Sequence, residues 1–414
     1  MKALLTFSPH SWLSEIGMQI GLVGKPSSGK SSFFSAATLL DVAIASYPFT
    51  TIEPNRGMGF VRTKCADEFF NVQCNPRYGM CHNHTRYVPV ELVDVAGLVP
   101  GAHEGKGRGN QFLDDLRKAD ALIHVVDASG STNELGEPVP LGSHDPCKDV
   151  KFLEDEIDWW FQGILKKNWQ KFGKARVDSR EKRVAEMGQA ISGLGVSEKT
   201  IESAMMKLNL AEKQFREWSE EDIMHFATKL REISKPIVIA ANKCDLPGAE
   251  KNIQRMRGEF PEKGIAACSA ISELALKKAS KTGAVEYWQG SEAFEEKTEL
   301  GEKQKAGLEY IKTNVLAKFH STGIQECLEE AVFGQLGFIA IFPGGTKKLT
   351  DSEGRVLPDC FLMPKGTTAL DFAFKLHSDI GNNFIRAIDV KTRQMVGKDH
   401  ELKDGDVIEI IFNK

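Results

Sequence analysis

Apolar and polar positions fall into alternating blocks along this chain. Ile20–Val23, Val88–Val93 and Ala121–Val126 are short, nearly unbroken apolar runs, the pattern of strands buried on both faces. Between them the period changes. Lys30–Leu40 reads as a helix, and so does Gly109–Lys118, where Phe112, Leu113 and Leu116 share one face. This alternation predicts an α/β domain built on a parallel sheet. The run from Pro236 to Ala241 is another buried strand and Gly264–Cys268 a further one, so the same domain resumes after an interruption.

The interruption, residues 149–234, is charged, helical and nearly free of strand signals. Trp159, Trp160, Phe161 and Leu165 mark the start of an amphipathic helix, and the segment reads as a coiled-coil-like insertion. From Lys166 to Arg183 eight Lys and Arg (166, 167, 171, 174, 176, 180, 182 and 183) stand against Asp178 and Glu181. A solvated helix face is the first reading of that run, and a patch facing RNA or a ribosome is the second. Tyr310–Phe333 reads as helical again. After Leu336 the composition shifts. Phe338–Phe342, Arg386–Val390 and Val407–Phe412 are strand-like, with Asp404-Gly405 as the turn. Thr368 and Asp371 fit a capping box, opening a helix with Leu370, Ala373, Phe374 and His377 on one face. The predicted division is a leader at 1–17, a first α/β part at 18–148, the insertion at 149–234, a second α/β part at 235–335 and a small α+β module at 336–414.

Composition narrows the class. The chain has 414 residues, a net charge of −4 and 27% charged residues, which suits a multi-domain globular protein and not a globally basic nucleic-acid binder. No apolar run is long enough for a membrane helix, and neither a membrane nor a DNA partner is expected. Eight scattered cysteines make no disulfide framework and fit a reducing, cytoplasmic setting. Met1–Gly17 is a poor signal peptide. Met18 directly precedes the first strand, so it is a candidate natural start, with 1–17 a flexible or non-native leader.

The chemistry begins where the first strand ends. Gly24-Lys25-Pro26-Ser27-Ser28-Gly29-Lys30-Ser31 matches G-x-x-x-x-G-K-[ST], with a strand before it and a helix after it. The glycines let backbone N–H groups turn inward onto phosphate oxygens, and the helix N-terminus adds partial positive charge. Lys30 is placed to reach the β- and γ-phosphates and to act catalytically. The Ser31 hydroxyl is a Mg²⁺ ligand, with Ser32 beside it in the binding loop.

Three further motifs follow in order. Asp94 and Gly97 form a D-x-x-G sequence at the end of the Val88–Val93 strand: a carboxylate for the Mg²⁺ sphere and an N–H for the γ-phosphate. Asn242, Lys243 and Asp245 end the next strand. Asp245 can accept hydrogen bonds from guanine N1 and N2, donors that adenine lacks. Ser269 and Ala270 close the strand beyond it, at the place of a contact to guanine O6.

With these motifs in view, the chain resembles the Obg-like GTPases, specifically the archaeal branch of the YchF subfamily. The resemblance rests also on Tyr47–Asn55, Asp94–Ala102 and Gly105–Asn110, and on Leu362–Thr368 and Leu402–Ile408 in the C-terminal module. It implies a P-loop NTPase fold of the Ras-like type, a helical insertion and a C-terminal TGS domain of β-grasp form. It further implies binding and hydrolysis of GTP, a GDP-bound state and an RNA or ribosome partner. The switch threonine is placed at Thr51, as a second Mg²⁺ ligand, with Thr50 the rival. Many relatives read the base with N-x-x-E and take ATP. Asp245 stands there instead and favours GTP. Relatives that use K⁺ carry Asn in the phosphate loop, whereas this chain has Pro26-Ser27-Ser28, which weakens the case for K⁺ as a second cofactor.

The residue after D-x-x-G, often a water-orienting Gln, is Leu98. Slow intrinsic hydrolysis is therefore expected, with a partner or another side chain completing the site. His124 in the third strand and His103 in the Gly-rich stretch are the candidates. Against them, a strand histidine is more often core and His103 can simply be exposed. Cys65, Cys74, Cys81, His82 and His84 cluster between two strands and could hold Zn²⁺, but their irregular spacing without C-x-x-C favours ordinary cysteines.

Overall fold

The computed structural model describes residues 18–38, 55–95, 115–172 and 179–413. Seven strands form the main sheet: β1 (Gln19–Val23), β2 (Arg56–Lys64), β3 (Met80–His82), β4 (Thr85–Asp94), β5 (Ala121–Asp127), β6 (Ile237–Asn242) and β7 (Ile265–Ala267). Their order is β2-β4-β1-β5-β6-β7, with β3 also beside β4. The five strands from β4 to β7 in this order are parallel, as the apolar runs predict.

The other two strands, β2 and β3, run antiparallel to β4 and depart from the all-parallel expectation. Strand β2 escapes detection because Gly57 and Gly59 interrupt its apolar pattern. A Cβ at Gly59 would stand 2.9 Å from Leu92 Cδ1, and one at Gly57 2.6 Å from Thr38 Cγ2. Close packing against β4 and helix Lys30–Thr38 thus selects glycine where a strand would ordinarily carry a side chain.

Both sheet faces are covered. On one, Phe33 and Phe34 of helix Lys30–Thr38 pack with Ile20, Leu92, Ile123 and Leu328. On the other, Val23, Val93 and Leu122 meet the insertion. That insertion comprises helices Pro146–Phe172, Arg180–Ala190, Glu198–Lys207 and Glu220–Ser234. Ser179, Ser197 and Ser219 cap the last three. The first helix starts at Pro146, so Trp159–Leu165 lie in its middle and do not begin it. Nor is the packing a heptad seam. Trp169 lies 5.3 Å from Trp218 and Trp218 5.1 Å from Phe226 between ring centroids, a bulky aromatic centre that joins the first helix to the last.

Part of the basic run is structural. Arg183 is buried and donates to the Ala211 carbonyl, while Lys166 pairs with Glu220 and Arg180 with Glu202.

Beyond β7 come helix Ala270–Lys281, the short hairpin β8 (Val285–Glu286) and β9 (Glu295–Glu296), and helices Glu302–Ile311 and Ile324–Glu329. The single helix expected over Tyr310–Phe333 is broken between His320 and Gly323, both with left-handed backbone. A Cβ at Gly323 would lie 1.9 Å from the Ala267 carbonyl oxygen, so only glycine fits this close approach to β7.

The C-terminal module holds β10 (Phe338–Pro343), β11 (Phe361–Pro364), β12 (Phe384–Asp389), β13 (Gln394–Val396) and β14 (Val407–Phe412), in the order β11-β10-β14-β12-β13. Helix Ala369–Leu376 opens on the predicted Thr368–Asp371 capping box. Asp404-Gly405 leads into β14, but β13 lies between β12 and β14 in the chain, so no hairpin joins those two. Among the described residues no helix is long and apolar enough to cross a membrane.

Candidate functional site

Strand β1 delivers the chain to Gly24, and the following loop returns at Lys30, where a helix begins. Gly24 and Gly29 have φ of 155° and 96°, and Ser27 has φ of 61°. The two glycines are demanded by contact. A Cβ at Gly24 would stand 2.6 Å from the Val125 carbonyl oxygen, and one at Gly29 2.2 Å from Asn242 Nδ2. The first turn of the helix leaves N–H groups without carbonyl partners, directed toward the loop's concavity. Pro26 has no N–H to offer. The Ser28 hydroxyl is buried without a partner.

Side chains divide around this loop. Lys30 is ion-paired with the Asp94 carboxylate at the C-terminal end of β4. Ser31 is exposed and Ser32 half-buried at the helix start. The Ser31 hydroxyl and the Asp94 carboxylate are hard oxygen donors on adjacent elements, the set that Mg²⁺ takes. Lys25 turns the other way. Its Nζ lies 2.7 Å from Asp149 Oδ2 and donates to the Thr132 carbonyl at 2.9 Å. Only the backbone of Lys25 remains for a phosphate.

Strand β6 places the second half of the site. Asn242 Nδ2 donates to the Ser28 carbonyl at 2.9 Å, and its Oδ1 accepts from the Ala270 N–H at 3.0 Å. One buried side chain thus ties the phosphate loop to the segment after β7. Lys243, in left-handed backbone, donates to Asp127 Oδ2 at 2.8 Å and lies 3.3 Å from Ser131 Oγ. Burial pushes the Asp127 carboxyl up, but Lys243, Ser129 and Ser131 outweigh it and hold the group below the usual range. Asp245 Oδ1 accepts from Ser269 Oγ at 2.8 Å, and the Tyr310 hydroxyl donates to the Asp245 carbonyl at 3.1 Å. Asp127, Ser131, Asp149 and Tyr310 were not singled out from the sequence. Only Asp127 had a usable signal, an acid at a strand end in register with Asn242.

His124 is wholly buried in β5, with Nδ1 unpartnered. Burial, with Lys25 and Lys263 adding to it, pushes its pKa down to about 3, so the ring is neutral at physiological pH. Together with Gly24, Lys25, Asp149 and Phe152 it lines a cavity of about 180 Å³ behind the phosphate loop. Thr50, Thr51, Gly97, Leu98 and His103 lie outside the described residues, as do residues 1–17.

Three family profiles match consecutive parts of the chain: "50S ribosome-binding GTPase" over 19–143, "Obg-like GTPase YGR210-like, G4 motif-containing domain" over 240–344 and "TGS domain" over 349–412. An uncharacterized GTP-binding protein of Methanocaldococcus jannaschii is 46% identical over 95% of this chain and 98% of its own length. The crystal structure of a GTP-binding protein from Pyrococcus horikoshii superposes with a TM-score of 0.76 at 38% identity, covering 96% of this chain and all of that one. The ribosome-binding ATPase YchF of Bacillus subtilis is 27% identical over 96% of this chain and 100% of its own length. Phosphate loop, base-reading strand and TGS module, in this order and with relatives matching end to end, make the chain a member of the Obg-like GTPase family, in its YchF branch.

Proposed function

We propose that this protein is a Mg²⁺-dependent GTPase switch with slow intrinsic turnover, completed by a ribosomal partner. The observation that carries the reading is Asn242, which bonds both the Ser28 carbonyl and the Ala270 amide and so fixes base pocket and phosphate loop as one unit. Asp245, steadied by Ser269, presents the carboxylate that a guanine edge requires and an adenine edge cannot use. The family profile over 19–143 is described as a ribosome-binding GTPase, which supports the choice of partner.

Ser31 and Asp94 would hold Mg²⁺, with Thr51 added in the GTP state. The ion supplies neutralisation of charge on the transferring phosphoryl group. Lys30, now on Asp94, would swing to the β- and γ-phosphates. The loop amides would hold the remaining oxygens, and catalysis would rest on positioning and charge. Loss of the γ-phosphate would release the segments around Thr51 and from Gly97 to Gly109. His124, held neutral by burial, could serve only as an acceptor for the attacking water, and His103 is its alternative. Leu98 cannot orient water, which supports a second reading, a nucleotide-dependent ribosome-binding module with negligible turnover.

The deciding experiment is GTP turnover, with ATP as competitor, with and without ribosomes of a related organism at fixed Mg²⁺ and K⁺. Strong stimulation supports the gated switch. Tight GTP binding without stimulation supports the module, and preference for ATP overturns the guanine assignment.

A further inference from the structure

Far along the sheet from the phosphate loop, residues 65–79 cross between β2 and β3 without strand or helix. An irregular segment of this length needs something to hold it. Three thiols and a carboxylate meet inside it: the ligand atoms of Cys65, Asp67, Cys74 and Cys81 all lie within 4.8 Å of one another. Cys65 and Cys74 sulfurs are 3.6 Å apart, and Cys81 Sγ is 3.5 Å from Asp67 Oδ2. Tetrahedral Zn²⁺, with Zn–S of about 2.3 Å and Zn–O of about 2.0 Å, sets edges of roughly 3.8 Å between sulfurs and 3.5 Å between sulfur and oxygen. Those two edges match one ion held by the cluster, and 3.6 Å is far from the roughly 2.05 Å of a disulfide.

The surroundings are those of a metal site. Asp67 is fully buried, and its second oxygen is 2.9 Å from His84 Nδ1, an outer contact that fixes the carboxylate. His84 sits in the two-residue turn Asn83-His84 between β3 and β4, both residues with positive φ, which brings the ring back over Asp67. Three thiolates and a carboxylate carry more negative charge than a divalent cation brings. The buried Arg86 guanidinium, 3.3 Å from Cys74 Sγ, offsets part of it. The two histidines paired with the cysteines by sequence are not ligands here. His82 stacks on Trp288 at 3.8 Å between centroids, and His84 stands behind Asp67. Asp67 joins the three thiols in their place, and a carboxylate is invisible to a Cys/His pattern.

We propose that Cys65, Asp67, Cys74 and Cys81 bind one structural Zn²⁺ that shapes the docking loop for the TGS module. The same loop carries Asn75, whose N–H donates to the Val356 carbonyl at 2.8 Å, and Arg77, whose N–H donates to the Pro358 carbonyl at 2.9 Å. Arg86 reaches from the cluster to the Leu357 and Pro358 carbonyls. Cys65 and Cys74 share a core with Phe342, Leu357 and Val407 of the module. Binding deprotonates the thiols, their protons pass to solvent, and no electron is transferred.

The test uses the full chain, purified reduced and without added metal or chelator, with metal content, Co²⁺ substitution and free-thiol counting. About one zinc per chain is expected, and the Co²⁺ form should show a thiolate charge-transfer band and tetrahedral d–d absorption. Zinc should be absent from a Cys65→Ser/Cys81→Ser variant. His84→Ala, which keeps every ligand, should lose about 10- to 100-fold in zinc affinity, and Cys147→Ser should lose none. Chelation should expose residues 66–80 to protease. A chain without zinc that gives no tetrahedral Co²⁺ spectrum, an iron-loaded site, a Cys65–Cys74 disulfide, or full zinc in the double variant would each overturn the proposal.

Discussion

Lys25 Nζ and Asp149 Oδ2 are 2.7 Å apart, and the two side chains are only 5% and 7% exposed. One belongs to the phosphate loop and the other to the first turn of the insertion's long helix. His144 Nε2 holds the other oxygen of Asp149 at 2.8 Å. The pair is a direct mechanical link from nucleotide loop to insertion, made in a setting where an unpaired charge is expensive.

Removing one partner should therefore be severe. Lys25→Met is expected to cost about 3–5 kcal/mol of stability, since it leaves the buried Asp149 carboxylate with the His144 ring but no lysine cation. The paired variant Lys25→Met/Asp149→Leu should recover much of that. Urea unfolding of the nucleotide-free chain checks both. A Lys25→Met protein as stable as wild type would remove the link.

The proposed guanine preference places base selection on Asp245, and one substitution tests it. Asp245→Asn keeps the shape but replaces an acceptor with a donor group facing the guanine N–H groups. Loss of hydrogen bonds to a charged group, roughly 1.5–3 kcal/mol, corresponds to GTP binding weaker by about 10- to 100-fold. ATP binding should hardly change. Fluorescent-nucleotide titration reads both, and an unaltered GTP preference would show that another group selects the base.

Much of this arrangement was readable in the sequence, because it is local. The runs that became β1, β4, β5 and β6 declare themselves by apolar continuity, and the phosphate loop by the backbone freedom of Gly24 and Gly29. What could not be read depends on partners distant in the chain. The break at Gly323 is dictated by the Ala267 carbonyl. Lys25 leaves the phosphate side because Asp149 waits 124 positions on. Arg183, counted with a basic patch, is drawn inside by the Ala211 carbonyl. Charge along a sequence does not tell which charges a fold will bury.

Asn242 predicts coupled losses. Asn242→Ala should leave the Ser28 carbonyl and the Ala270 N–H unsatisfied in a buried place, at about 1–3 kcal/mol for each. Because one side chain serves both halves of the site, affinity for GDP and for inorganic pyrophosphate should fall together. Gly29→Ala should act in the same direction, since its Cβ would displace the Asn242 amide. Calorimetric titration with the two ligands checks this. A variant that loses guanine binding but keeps pyrophosphate binding would mean that the two halves are held independently.

His124 sets an acid limit on stability. Its folded pKa lies at about 3, against an ordinary value of 6.5, because burial and then Lys25 and Lys263 disfavour the imidazolium. Above pH 6.5 the ring is neutral in folded and unfolded chains alike, and nothing is lost. As pH falls below 6.5 the unfolded chain takes up a proton that the folded one refuses, so stability declines by about 1.4 kcal/mol per pH unit from this group until the folded pKa is reached. His124→Gln keeps the polarity without the titration. Its stability relative to wild type should rise steadily between about pH 6 and pH 4 and be flat above pH 7. Parallel denaturation series across that range make the measurement, and a pH-independent difference would show that the ring is not held neutral. GTP turnover in wild type should show no inflection from His124 between pH 6 and 8. An inflection that disappears in His124→Gln would instead mark a ring that gains a proton in the working site.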